Sequence, residues 1–294
     1  MNIIKMFYDH FTYLETEVKN NVSQALLEDV GAGDLTASLV PCDETATATV
    51  ISRKEAVMCG SRWFEECFRQ LEPHVEVRWH TRDGETVGAG QKLCAVKGTA
   101  RALLTGERTA LNFLQLLSAV STQTRSYVNA ISGTGAVIVD TRKTLPGLRL
   151  AQKYAVKCGG GTNHRIGLYD GILIKENHIM AAGGIEPALR AARRIAARGI
   201  FIQIEVETLQ DLRTALDAGA TLILLDNFDL EELREAVVLN ARLTNKGAVL
   251  EASGGITLDN VRAVARTGVD RISIGGLTKD IKAIDLSMRF SSRS

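Results

Sequence analysis

The stretch Cys158–Ile179, CGGGTNHRIGLYDGILIKENHI, decides how the whole chain is read. Its centre, GILI (171–174), is a short apolar run of the kind that forms a strand buried on both faces. Around that run stand His164, Arg165 and Lys175, with a Gly-rich turn just upstream. Buried cations cost several kcal/mol unless something compensates them. Either carboxylates elsewhere in the chain pair with these groups, or an anionic ligand arrives from outside.

Outward from this stretch, short apolar runs alternate with helical patterns from about Gly135 onward. The runs are AVIVD (136–140), GILIK (171–175), FIQIEVE (201–207), TLILLD (221–226), AVLEAS (248–253) and RISIGG (271–276). Amphipathic segments such as IEPALRAARRIAARG and TLQDLRTALDAGA lie between them, with Gly199 and Gly219 as the residues expected to close helices. Strand and helix in alternation predict βαβ units and a parallel sheet. Each run ends in a polar or special residue: Asp140, Lys175, Glu205 with Glu207, Asp226, then Ser253 and Gly254. Chemistry at successive strand ends predicts a β/α barrel rather than a doubly wound sheet, which would gather it at one switch point. Six strands are visible, with room for a seventh.

The first hundred residues follow another pattern. TATATVISRKEAVMCG alternates weakly, GSRWFEECFRQLEP is helical, and VEVRWHTRDGETVGAGQKLCAVKG reads as short strands joined by Gly-containing turns. A long helix, TGERTALNFLQLLSAVSTQTRSYVNAIS, bridges to the barrel, with Leu111, Leu114, Leu117 and Val120 along one face. The expected organisation is an N-terminal α/β domain over 1–112 and a barrel over 113–279. A strand-like tail (280–294) returns to the first domain.

Of 294 residues, 45% are apolar and 23% charged, and 35 Lys and Arg balance 34 Asp and Glu. That balance excludes bulk attraction to nucleic acid or membranes, so any anion site must be local. Asp9 and His10 interrupt the apolar stretch a signal peptide needs, and no window approaches a membrane span. Five scattered cysteines (Cys42, Cys59, Cys67, Cys94, Cys158) with no C-x-x-C pair argue against a disulfide framework and a zinc site. The expectation is a soluble cytoplasmic protein.

Between Asp140 and His178, Arg142, Lys143, Arg149, Lys153, Lys157, Arg165 and Lys175 outnumber Asp140, Asp170 and Glu176. Such a local surplus points to a ligand with several negative charges, and arginine suits planar carboxylates. Glu205 and Asp226 change the sign and suit sugar hydroxyls or Mg²⁺. The paired glycines of ASGGI and SIGGL suit a phosphate, as loops after the last two strands of barrels often do. Each group also has a bland reading. His164 alone is a common core residue, Asp226 or Asn227 could cap the next helix, Glu207 could be structural, and a Gly-Gly pair is usually a turn.

The motifs EDVGAGDLT (28–36), GERTALNFLQ (106–115), DTRKTLPGLR (140–149), KYAVKCGGGTNHRIGLYDGILIKENHI (153–179), ILLDNF (223–228) and EASGGI (251–256) together resemble the quinolinate phosphoribosyltransferase family, over about residues 26 to 290. The resemblance implies transfer of a phosphoribosyl group from phosphoribosyl pyrophosphate (PRPP) to quinolinate, with loss of CO₂, Mg²⁺ as cofactor, in NAD biosynthesis. It implies an N-terminal α/β sandwich and an incomplete, seven-stranded β/α barrel. It also implies a homodimer or larger oligomer in which one subunit's sandwich covers another's barrel mouth.

Carried over by motif, Thr141, Arg142, Lys143, His164, Arg165 and Lys175 line the quinolinate pocket. Glu205 and Asp226 face the ribose and the metal, the metal being held through water or substrate. Ser253, Gly254, Gly255, Gly275 and Gly276 hold phosphate, and Arg108 reaches in from the neighbouring subunit. Lys143, Lys175, Glu205 and Asp226 are the candidate catalytic groups. Ala119 stands where the family pattern usually has Gly. A molybdenum-uptake-linked relative shares the barrel, but the full TRK and NHR set argues against it. A non-catalytic sugar-phosphate binding module is the alternative of another class.

Overall fold

A computed structural model of the chain describes residues 14–244 and 247–290. The segment with Asp9 and His10, and residues 291–294 of the expected tail, lie outside the described residues. The described residues up to Arg125, with 144–160 and those from Leu277 on, form one compact unit; 126–143 and 161–276 form a second.

The first unit opens with α1 (Leu14–Val30), which buries Leu14, Val18, Val22 and Leu26 at four-residue spacing. Strand β1 (Thr45–Ser52) buries alternate residues toward its end, as its weak alternation predicts. It is followed by β2 (Ala56–Val57), α2 (Ser61–Leu71), β3 (Glu76–Trp79), β4 (Thr86–Val87) and β5 (Lys92–Thr99). β5 pairs antiparallel with both β1 and β3, and β2 pairs with β4. Helix α2 lays Trp63, Phe64, Cys67 and Phe68 into the core, where the Phe64 ring meets Phe68 and Trp79 edge-on at 5.1 and 5.4 Å. Helix α3 (Ala100–Ala130) starts before the GERT motif and runs unbroken. A boundary at 112/113 therefore falls inside a helix. Its Leu111, Leu114, Leu117 and Val120 are buried, worth roughly 1.5–3 kcal/mol each.

In the second unit, β6 (Val137–Val139) is followed in the chain by α4 (Arg149–Cys158), which belongs to the first unit. Then come β7 (Gly171–Ile174), α5 (Glu176–Ala182), α6 (Ile185–Ile195), β8 (Phe201–Val206), α7 (Leu209–Asp217), β9 (Leu222–Asp226), α8 (Leu230–Thr244), β10 (Val249–Ser253), α9 (Val261–Ala265) and β11 (Arg271–Ser273). All six apolar runs are strands, in the parallel order β6-β11-β10-β9-β8-β7. The chain closes through α10 (Gly276–Lys279) and β12 (Leu286–Phe290). β12 returns to the first unit's sheet, antiparallel to β1 with Val50 opposite Met288.

The sheet is barrel-like, with six strands and the trace of a seventh. Thr162 makes a single parallel bridge to Val139, its N–H donating to Ile138 O and its carbonyl accepting from Asp140 N–H. Beyond Thr162 the chain leaves strand geometry, so a seam separates this segment from β7, which pairs only with β8. Side chains of NHR span the seam. Arg165 Nη1 donates to the carbonyl of Gly171 at 2.9 Å, and His164 Nε2 lies 2.7 Å from Gln203 Oε1 on β8. The edge of β7 away from β8 thus obtains from a guanidinium part of what a strand would have supplied. Gly219 does close α7, in the left-handed conformation, whereas Gly199 lies in a turn beyond the end of α6, which Ala196 caps.

Candidate active site

The ends of β8, β9 and β10 and the loops after β6, β7, β10 and β11 carry most of the candidate residues, and the structure gathers them into three groups. The first joins Thr141, Lys143 and Gly275, on neighbouring strand ends. Lys143 N–H donates to Thr141 Oγ1 at 3.1 Å. A Cβ on Gly275 would lie 3.1 Å from Lys143 Cδ and 3.6 Å from Thr141 Oγ1, so the absent side chain lets the lysine stem lie against the backbone. Gly276 begins the four-residue α10.

The second group is acidic with one cation. Lys175 Nζ lies 3.0 and 2.7 Å from the two carboxylate oxygens of Glu205. His178 of KENH does not join this group; its Nδ1 accepts from Lys175 N–H at the start of α5. Glu207, expected to be structural, is exposed and hydrogen-bonded to Glu176; that bond and the Glu176 charge push its carboxyl above the ordinary value, with Asp226 and Glu205 adding. Four carboxylates therefore crowd here against Lys175.

The third group is Asp226, Asn227, Ser253 and Gly254. Asn227 N–H donates to Ser253 O, and Asn227 Nδ2 to Asp226 Oδ2. Asn227 sits at φ 58°, the left-handed region, and is the one non-glycine residue there among those described. A Cβ on Gly254 (φ +98°) would come within 2.1 Å of Asn227 Oδ1. Neither Asp226 nor Asn227 caps α8. That role belongs to Asp229, whose Oδ1 accepts from the N–H groups of Glu231 and Glu232 while Glu232 accepts from Asp229 N–H.

His164 and Arg165 lie on the bridged segment, held by residues that sequence reasoning did not assign to the site. Buried Asp140 accepts from His164 N–H at 2.8 Å and from Asn163 Nδ2 at 2.6 Å. Arg165 N–H donates to His164 Nδ1, so the proton sits on Nε2 and faces Gln203 Oε1. Gln203 Nε2 in turn donates to Glu251 Oε2, and Arg271 Nε lies 3.0 Å from the same oxygen. Both His164 ring nitrogens are engaged within the protein, and the His164 ring packs edge-on to Phe201 at 5.7 Å. His164, Gln203, Glu251 and Arg271 thus form a buried polar layer among apolar strands.

Compensation of the cations is also mixed. Glu205 pairs with Lys175, and the His164 ring is engaged by Gln203 Oε1 and by Arg165 N–H. Arg165 is different. Burial and the charge of Arg142 beside it push its guanidinium below the ordinary value, against the opposing Asp170. Asp170 also accepts from Ile166 and Gly167 N–H and so shapes the loop after Arg165. Arg142 Nε is buried and makes no hydrogen bond. Two arginines thus repel one another here, and one of them carries an orphaned buried donor.

Arg108 is exposed on α3, in the first unit. The EDVGAGDLT segment secures that turn of the helix: Thr105 Oγ1 donates to Asp34 Oδ2 and Thr109 Oγ1 to Asp29 Oδ2. Hydrogen bonds from Ala37 N–H and the Thr105 hydroxyl hold Asp34 below its usual value. No helix among the described residues is long and apolar enough to cross a membrane.

Known proteins resemble the chain along nearly its full length. Residues 120–289 match the quinolinate phosphoribosyl transferase C-terminal domain, and 34–118 match the N-terminal domain. A curated relative from Bacillus subtilis, a probable nicotinate-nucleotide pyrophosphorylase [carboxylating], is 42% identical over 92% of this chain and 93% of its own. The nicotinate-nucleotide pyrophosphorylase [carboxylating] of Mycobacterium leprae is 40% identical over 92% of this chain and 96% of its own. Among solved structures, the nicotinate-nucleotide pyrophosphorylase from Francisella tularensis superposes with a TM-score of 0.90 at 43% identity, covering 94% of this chain and 97% of that one. The chain belongs to the quinolinate phosphoribosyltransferase family.

Proposed function

We propose that the protein is a nicotinate-nucleotide pyrophosphorylase (carboxylating). It joins quinolinate to the ribose of PRPP and releases nicotinate mononucleotide, pyrophosphate and CO₂, in de novo NAD biosynthesis. The observation that carries this reading is the mutually repelling pair of buried Arg165 and half-buried Arg142, which calls for a compact ligand with more than one negative charge. Quinolinate, with adjacent carboxylates, has that chemistry. Lys143 and Lys175 extend the cationic wall, and Thr141 and His164 position it. Ser253, Gly254, Gly255, Gly275 and Gly276 take the phosphate side, and Glu205 and Asp226 the ribose hydroxyls.

Departure of pyrophosphate carries away the bonding pair of the sugar C1–O bond and leaves an oxocarbenium-like carbon. The pyridine nitrogen lone pair forms the new C–N bond. The resulting pyridinium accepts the electrons left at C2 when CO₂ departs, and a proton from water completes the product. No organic cofactor is needed, and the protein contributes positioning and electrostatics.

The crowded carboxylates around Glu205 and Asp226 suit a hard divalent ion such as Mg²⁺. The raised Glu207 carboxyl reports negative charge that Lys175 alone does not neutralise. When bound, Mg²⁺ would neutralise charge on the pyrophosphate group.

Purified protein should turn over quinolinate with PRPP, while nicotinic acid, lacking the 2-carboxylate, should be a poor substrate. Efficient turnover of nicotinic acid would sink the assignment. A sugar-phosphate binding module of the same fold would bind PRPP and release no CO₂.

The working form we infer is a cytoplasmic homodimer or larger oligomer in which Arg108 of one subunit completes the pocket of another. Exposed Arg108, on a turn braced by Asp29 and Asp34, is what supports it. Arg108→Ala and Lys143→Ala should each be nearly inactive alone. On mixing equal amounts, about half the dimers pair the two variants, each with one intact site, so activity should recover to about a quarter of wild type. No recovery, with subunit exchange confirmed by mass, would return Arg108 to its own subunit or remove it from the site.

A further inference from the structure

Cys59, Asp83 and Cys158 are far apart in sequence, yet the structure brings two thiol sulfurs and a carboxylate oxygen within 4.8 Å of one another. Asp83 is held in place: Gly60 N–H donates to Oδ2 and Ser61 N–H to Oδ1, both at 3.2 Å, and the Tyr154 hydroxyl donates to Oδ2 at 2.9 Å. Cys158 is held as firmly. It ends α4, and Arg125 donates to its carbonyl at 3.2 Å and to the carbonyls of Gly159 and Gly84 at 2.9 and 3.3 Å. Cys59 N–H donates to Ser118 Oγ, and the Ser118 hydroxyl donates to the Cys59 carbonyl. Hydrogen bonds therefore hold the Asp83 carboxylate and the backbone of both cysteines in place.

We propose that Cys59, Asp83 and Cys158 form a binding site for a thiophilic divalent cation of the Zn²⁺ class. Two sulfurs and one carboxylate oxygen are the donor types such ions select, and tetrahedral coordination at about 2.3 Å to sulfur places ligand atoms about 3.8 Å apart. Sulfurs up to 4.8 Å apart need to close by about 1 Å. A fourth position is left for solvent beside the Tyr154 hydroxyl. Without a cation the Cys59 thiol is pushed well above its ordinary value by burial, while a hydrogen bond from Cys59 lowers Cys158. Coordination releases both thiol protons to solvent, and the ion replaces the hydrogen bond between the two sulfurs. The guanidinium of Arg62, whose charge reaches Cys158, offsets the net charge of −1 that two thiolates, one carboxylate and a divalent ion leave. This site is independent of the acidic group at Glu205 and Asp226, whose oxygen donors suit a harder ion.

The test uses reduced full-length protein with Cys42, the exposed cysteine, replaced by serine. Titration with CdCl₂ should raise a thiolate-to-metal charge-transfer band that saturates at one equivalent, and ZnCl₂ should compete it away. Cys158→Ser should cut the band by half or more, and Asp83→Asn should keep the band but weaken binding at least about tenfold. One equivalent of Zn²⁺ should also protect Cys158 from alkylation and raise the melting temperature of the parent but not of Cys158→Ser. No band at excess Cd²⁺, or a band undiminished in Cys158→Ser, overturns the proposal. So does a Cys59–Cys158 disulfide in protein that takes up no metal once reduced.

Discussion

Replacing Arg165 with alanine should lower kcat/KM for quinolinate by at least about tenfold, and by about two hundredfold if the full charge-assisted contact is lost. The reason lies in the ground state of the pocket. Arg165 is 8% exposed, feels the charge of Arg142 and spends one Nη1–H on the Gly171 carbonyl. Burial and the Arg142 charge outweigh the opposing Asp170 there, so a dicarboxylate ligand relieves a strain the free pocket carries. The KM for PRPP should move far less than that for quinolinate. Arg165→Lys keeps the charge but not the fork, and should recover only part of the loss. Because Arg165 also spans the seam, melting temperatures must accompany the kinetics. A folded Arg165→Ala protein binding quinolinate like wild type would take Arg165 off the carboxylate wall.

Glu251→Ala should destabilise the protein by about 3–5 kcal/mol, a large share of the roughly 5–15 kcal/mol that holds a domain folded. Glu251 is fully buried, and its Oε2 receives Gln203 Nε2 at 3.2 Å with Arg271 Nε 3.0 Å away. Removing it leaves the buried Arg271 charge uncompensated and frees the amide that orients His164. The double variant Glu251→Met, Arg271→Met removes both charges and should lose less than Glu251→Ala alone. Denaturant midpoints at unchanged m-value measure the difference. Equal or greater loss in the double variant would mean that shape, not charge compensation, dominates this layer.

Much of the fold is legible in the apolar runs because a parallel strand covered on both faces has a plain signature. All six runs are strands, and the alternating tail segment that includes Leu286–Phe290 pairs with β1. The seventh strand left only a bridge at Thr162, since TNHR gives up strand geometry to place its side chains. The candidate site is legible where chemistry stands at a strand end, as at Lys175, Glu205 and Asp226. What could not be read is which groups face one another. Lys175 and Glu205 were placed on opposite walls, yet their strands are neighbours and they form one ion pair. Gln203, Glu251 and Arg271 lie inside runs whose apolar neighbours masked them, and only cross-strand register joins them to His164. The cysteines carry no spacing signal because Cys59 and Cys158 converge through tertiary structure alone.

The contact between Asn227 and Gly254 sets an order in which the two loops can change over generations. A side chain at position 254 meets two obstacles, the φ of +98° and an Asn227 oxygen 2.1 Å from where its Cβ would lie. Shrinking position 227 to glycine removes the second and suits the left-handed φ of 58° there. Filling position 254 first meets both at full cost. The path through sequence space is therefore ordered: position 227 can change while 254 stays glycine, whereas a side chain at 254 still meets its own φ and the backbone nitrogen of residue 227, 3.0 Å from its Cβ, after 227 has given up its side chain. Two residues on different loops thus behave as one heritable unit, although 27 positions separate them in the chain.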